Sequence, residues 1–114
     1  MCGIPQAEKL VSSLNVDKEG FLRNLSDWDI KIAEELARQS SIELTDAHWE
    51  IIHIVREYHA EYNLTPVTRV LAKIVREQLG SEKASSIYLM GLFTGKPTKL
   101  IAKIAGLPKP NNCD

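Results

Sequence analysis

Residues 97–114 read PTKLIAKIAGLPKPNNCD, and the pattern changes within this stretch at Gly106. Pro97 suits the first position of a helix, because the amide that proline lacks would have no partner there. The residues up to Ala105 continue that helix, and glycine is typical just after a helix end. Two prolines at alternate positions then block helix and favour an extended chain. The stretch therefore predicts a last helix followed by an extended C-terminal arm, residues 107–114.

The other helices are predicted upstream from apolar residues that recur at helical spacing. Each is preceded by Ser, Thr or Asp, whose side chains can accept hydrogen bonds from the free amides of a first turn. The predicted starts and ends are Ser26 or Asp27 to Ser40, Thr45 to Tyr62, Thr65 and Pro66 to Gly80, and Ser81 to Phe93.

Residues 9–24 carry two short apolar runs around a polar turn, a pattern that favours a small β-hairpin. A chain of 114 residues is enough for one domain with one modest core. We therefore predict a mainly α fold, a bundle of about five helices with a small N-terminal β-hairpin. The single domain spans residues 1–106, and the flexible C-terminal arm spans residues 107–114.

The composition, with 44% hydrophobic and 25% charged residues, is that of an ordinary globular protein. Its charges are unevenly spread: residues 1–62 hold 6 Lys/Arg and 12 Asp/Glu, whereas residues 63–114 hold 8 Lys/Arg and 3 Asp/Glu. No apolar run is long enough to span a membrane, and the first residues lack the pattern of a secretory signal. We expect a cytoplasmic protein with no membrane partner.

The two cysteines, Cys2 and Cys113, lie at opposite ends of the chain. A disulfide between them would join the termini in a reducing compartment, so we expect at least one free thiol. The six residues that follow Leu107, up to Cys113, could carry the thiol about 20 Å from the domain, far enough to enter a partner's active site. From these residues alone, Cys113 is either a reactive thiol or a stray cysteine in a tail.

A cationic stripe is predicted on the helix that follows Thr65 and Pro66, formed by Arg69, Lys73 and Arg76. It is compatible with a solvated face and with contact to phosphates or to an acidic protein. Together with the predicted helix before it, this helix resembles a helix-turn-helix. A nucleic-acid-binding regulator therefore remains an alternative.

The predicted helix between Thr45 and Tyr62 has two faces without acidic residues. One is an apolar core stripe, and the opposite one suggests either a helix buried on both sides or a recognition surface. The residues of the core stripe are Ile51, Ile54, Val55, Tyr58 and Tyr62. The residues of that opposite face are Trp49, His53, Arg56 and Ala60. His48 is spaced from His53 and from His59 so that neither pair can close on one ion. No phosphate loop or nucleophile elbow is found. We expect no metal and no cofactor.

The run from Lys103 to Pro110, KIAGLPKP, followed by a penultimate cysteine, resembles the C-terminal signature of the DsrC/TusE family of sulfur-relay proteins. The resemblance covers the chain from about residue 17 to the end. Its internal blocks are residues 20–22 (GFL) with Trp28, residues 48–50 (HWE), residues 65–66 (TP) with Arg69 and Lys73, residues 88–89 (YL), and residues 92–93 (LF).

This resemblance implies an α-rich fold with a small hairpin and a mobile arm, whose acceptor cysteine corresponds to Cys113. It implies that the thiol takes sulfur as a persulfide from a donor complex of the TusBCD or DsrEFH type. The acceptor would be an enzyme such as the tRNA thiouridylase that makes 2-thiouridine. The carrier would then approach tRNA only indirectly, through that enzyme. The DsrC branch, which serves dissimilatory sulfite reductase, has a second arm cysteine where this chain has Lys103, which favours transfer by one thiol.

We therefore predict a sulfurtransferase of the carrier type, without turnover of its own, whose reactive residue is Cys113. The alternatives are a DsrC-like carrier in dissimilatory sulfur metabolism, the nucleic-acid-binding regulator, and a subunit whose tail docks without accepting sulfur. The end of the chain departs from the family, because it is Asp114 where an apolar residue or cysteine is common. The candidate contacts to partners or nucleic acid are Arg69, Lys73, Arg76, Lys99, Lys103 and Lys109.

Overall fold

The computed structural model describes residues 15–110, and within them six α-helices follow one short 3-10 turn. The prediction of a mainly α fold is confirmed. None of the described helices is long and apolar enough to cross a membrane. The elements are the 3-10 turn Leu25–Asp27, α1 Ile30–Gln39, α2 Asp46–Tyr62, α3 Thr68–Leu79, α4 Ser81–Ala84, α5 Ser86–Phe93 and α6 Pro97–Ile104.

Local capping sets the starts of α1, α2 and α5. Asp29 caps α1, with its carboxylate accepting from the Ile32 amide at 2.8 Å, so the predicted caps Ser26 and Asp27 lie instead in the 3-10 turn. The helix predicted from Thr45 to Tyr62 is confirmed as α2. Pro97 occupies the first turn of α6, as predicted.

The third helix begins later than predicted, at Thr68, because Thr65 and Pro66 are used in tertiary contacts. The hydroxyl of Thr65 donates to the carbonyl of Pro108 at 2.8 Å. Pro66 is buried and lines a small interior gap together with Leu107. These contacts hold the chain extended before α3, so the proline start signal was wrong here.

The helix predicted over residues 81–93 is divided into α4 and α5 at Ser85. This residue is extended, with φ −71° and ψ 148°. Its hydroxyl accepts from the Tyr88 amide at 3.1 Å and caps α5. The predicted count of about five helices therefore becomes six in the described part of the chain.

The predicted β-hairpin over residues 9–24 is not supported. Between residues 15 and 24 the structure has one antiparallel bridge, Val16 to Leu22, and no strand. The Asp17 carboxylate accepts from the amides of Glu19 at 2.9 Å and Phe21 at 3.0 Å, which closes a tight turn in place of a longer ladder. Residues 9–14 lie outside the described part of the chain.

Helix α2 is central and packs against α3, α5 and α6. Its apolar stripe is buried as predicted at Ile51, Ile54 and Val55, but Tyr62 is 55% exposed. The largest fully buried side chains are Phe21, Phe93, Leu36, Ile51, Ile52, Leu71, Ile101, Ile104, Leu107, Val55 and Val75. These side chains come from both ends of the described chain. The core is therefore complete only when the N-terminal turn packs against α6.

We expect Ile51→Ala to lower the free energy of unfolding by about 2–5 kcal/mol, because it leaves a cavity in a fully buried site. Ile87→Ala is the matched control, because Ile87 is 81% exposed and surface changes usually stay within about 0.5 kcal/mol. Urea unfolding followed by circular dichroism measures both. Equal losses in the two variants would contradict this core assignment.

Candidate functional site at the base of the C-terminal segment

Helix α6 ends in a left-handed cap. Gly106 has φ +75°, its amide donates to the Lys103 carbonyl at 3.1 Å, and the Leu107 amide donates to the Ala102 carbonyl at 2.9 Å. These two bonds are the Schellman pattern, which reverses the chain direction after a helix. The cap therefore sets the direction in which the following residues leave α6.

Two side chains from distant parts of the sequence complete this helix end. Trp28 Nε1 donates to the Ile104 carbonyl at 2.8 Å, and Arg56 Nη1 donates to the Ala105 carbonyl at 2.5 Å. The guanidinium lies 3.8 Å from the Trp28 ring centroid. Burial lowers the pKa of Arg56, yet guanidinium stays cationic at neutral pH. Its charge therefore faces the negative end of the α6 dipole.

The terminal segment, which we define as residues 107–110, lies against the domain. Leu107 is 1% exposed, and the Pro108 carbonyl accepts from the Thr65 hydroxyl. Lys109 Nζ lies 2.9 Å from Glu19 Oε2, and Pro110 is buried. These four residues are the described part of the predicted arm. Residues 111–114, with Cys113, and residue Cys2 lie outside the described residues.

Glu19 joins the terminal segment to α6. Its carboxylate pairs with Lys109 and also with Lys99 Nζ at 3.0 Å. Hydrogen bonds from Lys109 and then Lys99 lower the pKa of Glu19 from 4.5 to about 2. Lys103 Nζ lies 5.5 Å from the Phe21 ring centroid. Three of the six predicted cationic contacts, Lys99, Lys103 and Lys109, therefore gather around one turn of the N-terminal region.

The other three predicted contacts, Arg69, Lys73 and Arg76, lie exposed on α3. Within residues 15–110, no carboxylate forms an ion pair with them. The described hydrogen bonds and ion pairs do not connect this stripe to the group around Glu19. The structure thus separates the six predicted basic residues into two sets with different surroundings.

The second face of α2 is partly covered. Trp49 packs edge-to-face on Trp28 with ring centroids 6.4 Å apart, and Trp49 and Arg56 are half-buried. His53 and Ala60 are exposed. Neither of the two predicted alternatives, a helix buried on both sides or an open recognition surface, describes the whole face.

His48 serves the fold. It is 6% exposed, its Nδ1 accepts from the Thr45 amide at 3.1 Å, and its Nε2 lies 2.7 Å from the Leu92 carbonyl. Among residues 15–110, no group of three His, Cys, Asp or Glu residues could hold a metal ion.

Sequence reasoning did not identify Glu19 or the joint role of Trp28 and Arg56. Trp28 was noted only within the family resemblance, and Arg56 only on the second face of α2. Glu19 gave no signal, because an acidic residue in a polar turn is usually solvated. Its partners are 80 and 90 residues away in the sequence, so only the tertiary structure brings them together.

The sequence matches the family model described as "DsrC like protein" over residues 10–113. The sulfurtransferase TusE of Buchnera aphidicola subsp. Schizaphis graminum is 41% identical over 106 residues, 93% of each chain. The NMR structure of Allochromatium vinosum DsrC has 48% identity and a TM-score of 0.79, covering 87% of this chain and 88% of the other. The crystal structure of the oxidized gamma-subunit of the dissimilatory sulfite reductase (DsrC) from Archaeoglobus fulgidus has 37% identity and a TM-score of 0.77, covering 89% and 92%.

We expect Gly106→Ala to lower the free energy of unfolding by about 2–4 kcal/mol, because a left-handed backbone disfavours alanine and the added carbon overpacks the site. That carbon would clash with Trp28 Cδ1. Gly91→Ala is the control, since Gly91 lies in α5 with open space around it, and it should be neutral or gain about 0.5–1 kcal/mol. Urea unfolding measures both variants. An equal change in the free energy of unfolding would contradict this account of the helix end.

We expect the Glu19 carboxyl to titrate near pH 2 at low ionic strength and at higher pH as salt screens the lysines. Because its folded pKa is lowered, its contribution to stability is present above pH 4.5 and is lost as the pH falls through about 2. Carboxyl-detected NMR measures the titration. Lys109→Met should raise the titration midpoint of the Glu19 carboxyl. Arg38→Met is the control: it removes the partner of Glu35 and should leave the Glu19 midpoint unchanged.

Proposed function

The chain belongs to the DsrC-like family of sulfur-relay proteins, and from this premise we propose that it carries sulfur as a persulfide on Cys113. The observation that carries the proposal is the ordered base of the terminal segment. Gly106, Trp28 and Arg56 fix the end of α6, and residues 107–110 are held against the domain. Cys113 follows Pro110 by three residues, so only a short length of chain separates the thiol from this base.

The proposed transfer is an exchange between a thiolate and a persulfide. The Cys113 thiolate attacks the outer sulfur of a donor persulfide, a new sulfur–sulfur bond forms on Cys113, and the donor's sulfur–sulfur bond breaks. The donor leaves as a thiolate, and the outer sulfur keeps its oxidation state. A second exchange of the same kind passes the sulfur to an acceptor thiol. No external oxidant or reductant enters either step.

One thiol is sufficient for this cycle. Lys103 occupies the position at which the resemblance places a second arm cysteine in the DsrC branch, and its ammonium lies near the Phe21 ring. We therefore propose carrier-type persulfide transfer without an arm disulfide. The reducing cytoplasm is the compartment in which such a thiol would stay available.

The proposed partners are a donor complex of the TusBCD or DsrEFH type and an acceptor such as a tRNA thiouridylase, which would bring the carrier to tRNA indirectly. Relatives named sulfurtransferase TusE favour the biosynthetic branch. The Archaeoglobus fulgidus neighbour is named as a subunit of dissimilatory sulfite reductase. A role as sulfur carrier for that enzyme is therefore the second candidate function.

The exposed stripe of Arg69, Lys73 and Arg76 is the proposed contact to an acidic partner surface. Lys99 and Lys109 are less suited to that role, because both already pair with Glu19. Charged surface residues of this kind contribute to the rate of encounter more than to the final affinity.

We expect Cys113→Ser to abolish sulfur acceptance without changing the fold, because the change removes the attacking sulfur alone. The protein is incubated with a persulfide-loaded donor, and its intact mass is read before and after reductant. The parent should gain the mass of one sulfur atom and lose it again on reduction. Cys2→Ser is the matched control and should behave as the parent. Acceptance that survives in Cys113→Ser would contradict the proposal.

A further inference from the structure

Helix α5 has apolar side chains on every side, yet the domain covers only part of it. Leu89 and Phe93 are buried, whereas Ile87 is 81% exposed and Met90 is 41% exposed. A helix that is apolar all round is usually buried, and an exposed apolar patch often marks a contact with another protein. The uncovered side of α5 is therefore a surface on which a partner could pack.

An open groove lies beside this side of α5. It has a volume of about 300 Å³ and is bounded by α3, α4, α5 and the start of α6. Its lining includes Ala72, Ala84, Ser86, Leu89, Met90 and Pro97. The alanines and the serine are small, and methionine adapts its shape to a partner. The hydroxyls of Thr68 and Thr98, which also line the groove, are 2.9 Å apart and bond each other. The groove therefore favours apolar groups over polar ones.

The rim of this groove along α3 is cationic. Arg76 follows Ala72 by one turn, and Arg69 lies next to that row round the helix, so both border the groove. The described residues that line the groove include no Asp or Glu. A second groove, on the other side of α3, is lined by three carboxylates, Glu57, Glu61 and Glu77. Helix α3 therefore separates an apolar groove with a positive rim from an acidic groove.

We propose that the apolar groove docks an amphipathic helix of the sulfur donor, with apolar side chains in the groove and acidic side chains against Arg69 and Arg76. An apolar groove binds a helix through side chains one turn apart, and opposite charges at the rim fix its orientation. The inference rests on the proposed function, because a carrier has to dock on the protein that loads it. A donor suits the rim better than a tRNA-binding acceptor, since proteins that bind nucleic acid present basic surfaces of their own.

Binding of an unloaded donor complex of the TusBCD type is measured by isothermal titration calorimetry. The carrier contains Cys113→Ser in every case, so that no sulfur is transferred. Met90→Glu and Met90→Lys remove the same apolar contact and differ in charge. We expect Met90→Glu to bind at least about tenfold more weakly than Met90→Lys, because a carboxylate in the groove would face the acidic side chains of the donor.

Tyr62→Glu is the matched control. It also places a carboxylate at an exposed apolar position, since Tyr62 is 55% exposed, but in the acidic groove on the other side of α3. It should bind the donor as the parent does. Arg69→Glu with Arg76→Glu should weaken binding about tenfold or more at low salt, and less at high salt. This pair changes only exposed side chains, so it decides the question even where urea unfolding finds Met90→Glu less stable.

Photo-crosslinking identifies the occupant of the groove. The photoreactive residue p-benzoylphenylalanine replaces Met90, and the same residue in place of Tyr62 is the control. Mass spectrometry should find cross-links from position 90 to an acidic helical segment of the donor. Cross-links to residues 1–14 of the same chain, to a second copy or to added tRNA would overturn the inference. Equal binding by Met90→Glu and Met90→Lys would overturn it too, as would a donor complex that does not bind the parent.

Loading by a small donor separates this inference from the proposed function. Glutathione persulfide needs no docking helix, so it should load Cys113 equally in the parent and in Met90→Glu. Failure of that loading in every variant would count against the persulfide carrier. The calorimetry involves no sulfur transfer, so it would still decide whether the donor docks in the groove.

Discussion

The fold of the C-terminal region depends on the end of α6, where backbone carbonyls are satisfied by groups from elsewhere in the chain. A helix end leaves its last carbonyls without partners inside the helix. Here Trp28 and Arg56 supply two of the donors, and the left-handed Gly106 turns the chain so that Leu107 enters the core. The direction of the terminal segment, residues 107–110, follows from this arrangement.

Much of the helical framework could be predicted from local sequence. The bounds of α2, the proline at the start of α6 and the glycine after it follow from capping and backbone preferences that act within a few residues. The start of α3 and the break at Ser85 were missed for opposite reasons. At Thr65 and Pro66, tertiary contacts overrode a local start signal. At Ser85, a local cap lies inside residues 81–93, which were predicted as one continuous helix.

The candidate site could be predicted only in part. Motif resemblance identified Cys113 and the family, and the comparisons support the family. The role of Cys113 itself stays a prediction, since it lies outside the described residues. The basic residues were found from the number and spacing of lysines and arginines in the sequence. That pattern could not show that Lys99 and Lys109 both pair with Glu19. Nor could it show that the α3 stripe has no such carboxylate partner in residues 15–110. Pairing is a property of the tertiary structure, whereas net charge is a property of composition.

The contact between the two ends of the described chain also bears on the order of folding. Trp28 and Ile104 are 76 residues apart in sequence, and Glu19 and Lys109 are 90 apart. Such distant pairs close large loops, whose entropic cost delays their formation relative to local helices. During synthesis, the turn around Phe21 can make these contacts only after α6 and residues 107–110 have been made. We therefore expect the base of the arm to be assembled last, after the helical framework is in place.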